Sequence, residues 1–325
     1  MQPFRPVWLS DDDIDDLIDP VALVEALAAG FAAIGRATML EQASVTMPAL
    51  DGASAYLSLF PANDRESGLA SVKVLVGRPE NAAEGRPEID AIVALAEAGT
   101  GAFRAILSAA GLTALRTAAV TALAIRAMIG AGAHQIGLVG TGQQAKAHAR
   151  ILAANGLASG FLVASPAKGA ERAVAFAQEI KALTGLPADP LALGTIARSS
   201  DVLITMTLAE RPLPLGPLPD GLLLACIGPF LPHSHEIDPR WLTRAALVVS
   251  DWPERLMRQW QDSPLLDTGQ LSLLALGDLL EEKRPAEKRG GFSIFLSDGR
   301  AFEDNVIATL LLRAATQTGR GLPLP

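Results

Sequence analysis

Residues 135–145 read Gln-Ile-Gly-Leu-Val-Gly-Thr-Gly-Gln-Gln-Ala, a short apolar run closed by the spacing G-x-G-x-x-A from Gly140 to Ala145. A strand that runs into such a turn and then into a helical pattern is compatible with few architectures. Gly140 permits the tight turn, Gly142 lets the backbone approach a pyrophosphate, and Ala145 allows helix and strand to pack closely. The N-terminus of the following helix offers free N–H groups and positive potential to an anion. Thr141, Gln143 and Gln144 complete a candidate dinucleotide-binding turn. The competing reading is a chance turn in a chain that holds 29 glycines.

The segments beyond the turn alternate strand and helix: Gln135–Val139, a helix through His148, Gly160–Ala164, a helix through Phe176, Val202–Thr205, Leu222–Ile227 and Ala246–Ser250. Five strands joined by crossovers of this length predict a doubly wound parallel sheet, an α/β fold of the Rossmann type. Before Gly130-Ala131-Gly132 the pattern differs. Ser10 and Asp19-Pro20 signal two helix starts, with Val21, Leu23, Val24, Leu27 and Phe31 as a buried stripe. Ser44–Met47, Ala55–Leu59, Ala70–Leu75, Ile89–Leu95 and Ala105–Leu107 then read as antiparallel strands, followed by a long Ala-rich helix over Leu112–Ile129. Phe292–Leu296 and the helix from Glu303 read as a return to this first unit.

A formal charge of −8 argues against nucleic acid as a partner. One cysteine, Cys226, makes neither an intrachain disulfide nor a cysteine zinc site, and the four histidines show no ligand spacing. The longest stretch free of charge, Ala127–Ala145, carries five glycines and three glutamines and is no membrane span. No signal-peptide pattern follows Met1. The expectation is a soluble, cytoplasmic, metal-free protein with no membrane partner.

Residue types at the end of the second strand of the parallel unit bear on the cofactor. A carboxylate there, about 20 residues past the turn, holds a ribose 2′-hydroxyl in NAD-binding folds. Here Ala164 is followed by Ser165-Pro166-Ala167-Lys168, with Arg172 beyond, so Ser165, Lys168 and Arg172 fit a 2′-phosphate. NADPH is therefore favoured over NADH, while a solvated helix start remains the other reading of the two cations. Two further cations interrupt apolar segments. Lys73 lies in Ser71-Val72-Lys73-Val74-Leu75-Val76, where alternation favours an outward-facing lysine and burial would instead lower its pKa for proton transfer. Arg116 is the one charge in Leu112–Ala124, open either to snorkelling or to bidentate capture of a carboxylate.

Taken together, Leu-Thr-Ala-Leu-Arg-Thr-Ala-Ala at 112–119, Val72-Lys73-Val74, Gly140–Ala145 and Gly299-Arg300-Ala301-Phe302-Glu303-Asp304 resemble the ornithine cyclodeaminase/mu-crystallin family, in order and over nearly the whole chain. The resemblance implies an α+β substrate and dimerisation domain, residues 1–128 with 297–325, into which a Rossmann domain, residues 129–296, is inserted. It implies a homodimer, and a small α-imino or α-amino acid as substrate. It makes Lys73 a carboxylate contact and proton carrier and Arg116 a carboxylate ligand. It places Thr205 and Thr207 near the nicotinamide ribose and Ser297 near the nicotinamide. The chain also departs from the family. Six residues before Glu236, where cyclodeaminases carry an aspartate, stands Phe230, which neither hydrogen-bonds an amino group nor activates water. Leu40–Ser44 lacks a further carboxylate-binding arginine that many members carry, and Glu88 stands roughly where some members have a small hydroxyl residue, either facing a cationic substrate group or lying in a loop. Phenylalanine at 230 is similar to the Δ1-pyrroline-2-carboxylate reductase branch, which delivers a hydride to C=N. Ornithine cyclisation, an amino-acid dehydrogenase and a non-catalytic, mu-crystallin-like ligand binder are the alternatives.

Overall fold

A short strand, β1 (Val7–Leu9), leads into a helix α1 (Asp11–Leu17) that opens on a reciprocal capping box. The Ser10 hydroxyl accepts from the Asp13 N–H, and the Asp13 carboxylate accepts from the Ser10 N–H at 3.1 Å. Asp19 caps α2 (Pro20–Gly35) through the N–H groups of Val21 and Ala22. Leu23, Val24, Leu27 and Phe31 are buried in α2 as the spacing predicts. Val21 is exposed: it lies two residues, some 200° around the helix, from Leu23.

This computed structural model describes residues 5–42, 44–48, 55–84, 86–87, 89–267, 269, 271–282 and 290–325. The elements continue with β2 (Met39–Glu41), β3 (Val45–Pro48), β4 (Tyr56–Asp64), β5 (Leu69–Gly77), β6 (Ile89–Glu97), β7 (Phe103–Ser108) and α3 (Ala110–Ile129). The parallel region holds β8 (His134–Val139), α4 (Gln143–Ala154), β9 (Ala158–Ala164), α5 (Gly169–Thr184), β10 (Ala188–Pro190), α6 (Leu193–Ile196), β11 (Val202–Thr205) and β12 (Leu223–Cys226). After it come a hairpin of β13 (Phe230–Leu231) and β14 (Ser234–His235), then β15 (Leu247–Ser250), α7 (Pro253–Trp260), β16 (Leu273–Ala275), α8 (Leu276–Glu282) and β17 (Ser293–Leu296). The chain closes with α9 (Ala301–Thr318) and β18 (Leu322–Pro323). It divides into two compact units, residues 1–116 with 300–325 and residues 117–299, so the division falls inside α3.

The first unit is one sheet in the order β18-β1-β7-β6-β5-β4-β2, with β3 also on β4. Its pairs are antiparallel except β1 with β7. Lys73 stands opposite Phe60 on one side and Val93 on the other. Ser71, Lys73, Val93 and Leu95 belong to the buried face, which α9 packs against. The opposite face carries Val72, Val74 and Val76 beside Leu57, Leu59 and Ile92. Alternation therefore points Lys73 inward, because here the apolar set is the outer one; the outward-facing expectation does not hold.

The second unit is an eight-stranded sheet, order β10-β9-β8-β11-β12-β17-β15-β16, with every pair parallel. The doubly wound α/β class read from the sequence is the observed one. Two short strands, β10 and β16, extend the sheet beyond the expected five. Residues 292–296 do not return to the first unit: β17 sits mid-sheet between β12 and β15, and its all-apolar Ile294-Phe295-Leu296 is what a strand covered on both faces requires. α3 is long and apolar enough to cross a membrane, yet 83% of its apolar window is buried within the structure, as befits a core helix.

Candidate active site

Lys73 and Arg116 converge. Lys73 is 1% exposed and Arg116 6%. Lys73 Nζ lies 2.8 Å from Asp304 Oδ2, and Arg116 Nε lies 2.8 Å from the other Asp304 oxygen. A second guanidinium nitrogen of Arg116 pairs with Glu303. The Lys73 ammonium also sits 4.5 Å from the centre of the Phe60 ring, a cation–π contact from its cross-strand neighbour. Both carboxylates come from the first turn of α9, where negative charge is favoured by the helix dipole. Two cations and two carboxylates make the cluster formally neutral, which is how four buried charges are tolerated. Burial pushes the Lys73 ammonium below its ordinary value; the Arg116 charge adds to that, and Asp304 and Glu303 pull it back in part.

Neighbouring residues fix this arrangement. The Asn305 amide donates to the Leu69 carbonyl at 3.0 Å and the Ser71 hydroxyl at 3.1 Å, tying α9 to β5 two residues from Lys73. Glu41 accepts the Arg300 guanidinium at 2.6 Å and the Phe302 N–H at 3.2 Å, closing the start of α9. The segment where the family often carries a further arginine thus supplies a carboxylate, and its guanidinium partner is Arg300, the residue just before α9. Ala43 and Glu88 lie outside the described residues.

In the second unit, Gly140 follows β8 with φ +125°, and a Cβ there would stand 2.6 Å from the Met206 carbonyl oxygen. Only glycine fits. Gly140 N–H donates to the Ala164 carbonyl, drawing the turn to the end of β9 and to half-buried Ser165. Gly142 caps α4 with no side-chain hydrogen bond and open space where a Cβ would be, so the first-turn N–H groups are available to a phosphate. These features fit a dinucleotide. Gln143 is exposed and Gln144 half-buried; the Gln144 carbonyl accepts from His148 Nδ1 at 2.7 Å. Burial lowers the His148 pKa to about 4, so the ring is neutral and its Nε2 takes the Thr121 hydroxyl, 3.0 Å away. Arg172 reaches the turn itself: it donates to the Thr141 carbonyl at 3.2 Å and to Glu179, over the Phe176 ring. Lys168 is exposed at the start of α5.

The remaining expected contacts lie past the carboxyl ends of the strands. Thr205 is fully buried in the sheet, with its carbonyl accepting from Ile227 and Gly228. Thr207 gives its N–H and its hydroxyl to Glu236 Oε2 and accepts from the Ala209 N–H, so its hydroxyl is engaged within the protein. Glu236 is fully buried and also accepts from the Gly228 N–H at 2.8 Å; a Cβ at Gly228 would collide with its carboxyl. Ser297 donates to Asp251. Next to it, burial raises the Asp298 carboxyl to about 6, with Arg255 opposing and Asp251 adding to the shift. The Phe230 ring stacks on Trp260 at 4.6 Å, and the Trp260 indole N–H donates to the Phe230 carbonyl. Position 230 is an aromatic packing site.

Sequence reasoning missed Glu303 and Asp304 as partners of the two cations, and Asp251 and Glu236 as holders of strand-end loops. The signal for the first pair was present: Glu303-Asp304-Asn305 is a polar run opening a helix that is otherwise apolar on most positions. Among the described residues no cluster of histidine, cysteine and carboxylates suits a metal ion.

One unit carries a parallel sheet with a dinucleotide-type turn, and the other buries a lysine–arginine pair against two carboxylates, which defines a two-unit α/β protein. The chain belongs to the ornithine cyclodeaminase/mu-crystallin family, whose sequence profile matches residues 6–318. It is 32% identical over 305 residues to Delta(1)-pyrroline-2-carboxylate reductase 2 of Burkholderia ambifaria, covering 94% of each chain. It is 32% identical to the Delta(1)-pyrroline-2-carboxylate/Delta(1)-piperideine-2-carboxylate reductase of Azospirillum brasilense, over 75% of this chain and 78% of that one. The fold matches Delta(1)-pyrroline-2-carboxylate reductase from Thermococcus litoralis, solved with NADH and L-proline, with a TM-score of 0.85 at 22% identity over 98% of this chain and all of the other.

Proposed function

We propose that this protein is an NAD(P)H-dependent reductase of cyclic α-imino acids, converting Δ1-pyrroline-2-carboxylate or Δ1-piperideine-2-carboxylate to L-proline or L-pipecolate. The observation that carries the reading is the buried cluster of Lys73, Arg116, Glu303 and Asp304. A cluster that is already neutral admits a ligand most cheaply when the ligand is itself a neutral dipole. An imino acid becomes such a dipole once Lys73 has protonated its nitrogen, with its carboxylate facing Lys73 and Arg116 and its new N–H facing the two acids. The names of the relatives from Burkholderia and Azospirillum support the same substrate class.

Arg116 and Lys73 hold the carboxylate and so fix the C=N carbon, which removes much of the entropic barrier. Lys73, its pKa lowered by burial, gives a proton to the imine nitrogen and regains one from solvent. Gly140, Gly142 and the first turn of α4 would hold a reduced nicotinamide dinucleotide, which when bound would supply the hydride for the imine carbon. One hydride and one proton convert C=N to CH–NH. No water is activated, so Phe230 is compatible with this step and not with deaminating cyclisation. Lys168 and Arg172, the second already docked on the Thr141 carbonyl, favour NADPH. The outer sheet face, with Val45 and Met47 of β3, Val76 of β5 and Ile92 of β6 exposed, supports a homodimer. We place the protein in the cytoplasm, where reduced dinucleotide is at hand.

The test is absorbance at the reduced-nicotinamide band with each cyclic imine and each cofactor. Oxidation with Δ1-pyrroline-2-carboxylate, roughly tenfold better in kcat/KM with NADPH than NADH, is the expected result. Ammonia release from ornithine without added reductant would assign a cyclodeaminase instead. Absence of turnover across cyclic and linear α-imino acids would leave a binding protein.

A further inference from the structure

We infer that Asp251 sets the polarity of the Ser297 hydroxyl, so that this hydroxyl meets a bound nicotinamide only as an acceptor, from the amide NH2 of the carboxamide. The inference rests on the nicotinamide reading above and says which end of the cofactor's amide the protein recognises.

The sheet order places the site. β8 and its glycine turn stand between β9 and β11, at the point where the strand order reverses. A dinucleotide lying across such a point has its adenosine ribose at the end of the neighbouring β9, and its other half over the ends of β11, β12 and β17. Four hydroxyls stand at or just past the strand ends on that side. Thr205 is fully buried in the sheet. Thr207 both donates to Glu236 and accepts from Ala209. Ser250 is fully buried and accepts from the Trp252 N–H. Ser297, directly after β17, is the one of these four that is both half-buried, not fully buried, and without a donor on its oxygen.

Its proton is committed. Ser297 Oγ lies 3.0 Å from Asp251 Oδ2, and the Asp251 carboxylate also receives the N–H groups of Asp298 at 2.8 Å and Gly299 at 3.1 Å. Asp251 is 1% exposed, and an ionised carboxylate only accepts. The hydroxyl must donate to it. The Ser297 main chain is pinned by its own N–H on the Cys226 carbonyl at 3.1 Å. What Ser297 then offers a ligand is lone pairs alone. A carboxamide can satisfy them with its NH2; turned by 180° it would set its carbonyl oxygen against another acceptor. Asp251 is thus a positioning residue acting through Ser297.

The experiment is calorimetric binding, in both the NAD+ and the NADP+ series, of three ligands: the parent, its thionicotinamide analogue and its 3-acetylpyridine analogue. The thio analogue keeps the NH2; the acetyl analogue keeps the carbonyl and loses the NH2. In the wild-type protein the acetyl analogue is expected to bind about tenfold more weakly than the parent, and the thio analogue within about threefold. Ser297→Ala should shrink the acetyl gap to about threefold or less, Ser297→Thr should keep it, and Asp251→Asn should shrink it. A wild-type protein that discriminates against the thio analogue, or that ignores the acetyl change, overturns the inference. So does a full acetyl gap in Ser297→Ala. Failure of all three ligands to bind in both series removes the cofactor reading itself.

Discussion

Lys73→Met is expected to lower kcat for the cyclic imine by about 10³-fold while the affinity for NADPH stays within about threefold. Methionine keeps the apolar stem against β4 and β6 and removes the proton. Asp304 remains paired through Arg116 Nε, so the variant should fold, with lower stability because the cluster then holds one excess negative charge. The loss should also change shape with pH. In the wild-type enzyme the rate falls as pH rises through the lowered Lys73 pKa, because the neutral amine has no proton to give. In Lys73→Met that limb should vanish from the residual rate. Steady-state kinetics from pH 6 to pH 10, with cofactor binding measured beside them, check both statements. A variant retaining a tenth or more of wild-type kcat would remove Lys73 from the proton transfer.

The second large effect concerns stability. Among the described residues of the cluster, Asp304→Ala leaves Glu303 as the carboxylate facing the buried Lys73 and Arg116, an excess of one positive charge where water is nearly excluded. Breaking a buried pair by removing one partner costs about 3–5 kcal/mol. Urea unfolding of Asp304→Ala should show a loss of that size. The double variant Lys73→Met/Asp304→Ala, which removes one charge of each sign, should recover much of it. Equal destabilisation in the single and the double variant would mean that the cost is packing and not charge.

The parallel unit was the most legible part of the chain, because its strands are covered on both faces and read as apolar runs ending in turns. Gly140–Ala145 gave the fold and a candidate phosphate turn, since only glycine fits the positive φ beside Met206. β17 was misplaced because a strand's sequence states that it is buried, not which sheet buries it. Lys73 was misread for a related reason. Alternation tells which residues share a face and leaves open which face is the interior; Val72, Val74 and Val76 make the outer face apolar in this sheet. Arg116 was visible as a lone cation in an alanine-rich helix. Its counter-charges were not, because Glu303 is 187 residues further along the chain.

Pyrrole-2-carboxylate, a flat anion of the proposed substrate's shape that cannot be reduced, probes whether Lys73 and Arg116 recognise a carboxylate. Its binding to the NADP+-loaded protein, measured by calorimetry beside pyrrole-2-carboxamide, should favour the acid by about 100-fold, and Arg116→Met should abolish that preference. Equal affinity for acid and amide in the wild-type protein, or an undiminished preference in Arg116→Met, would mean that these two cations do not recognise the substrate carboxylate.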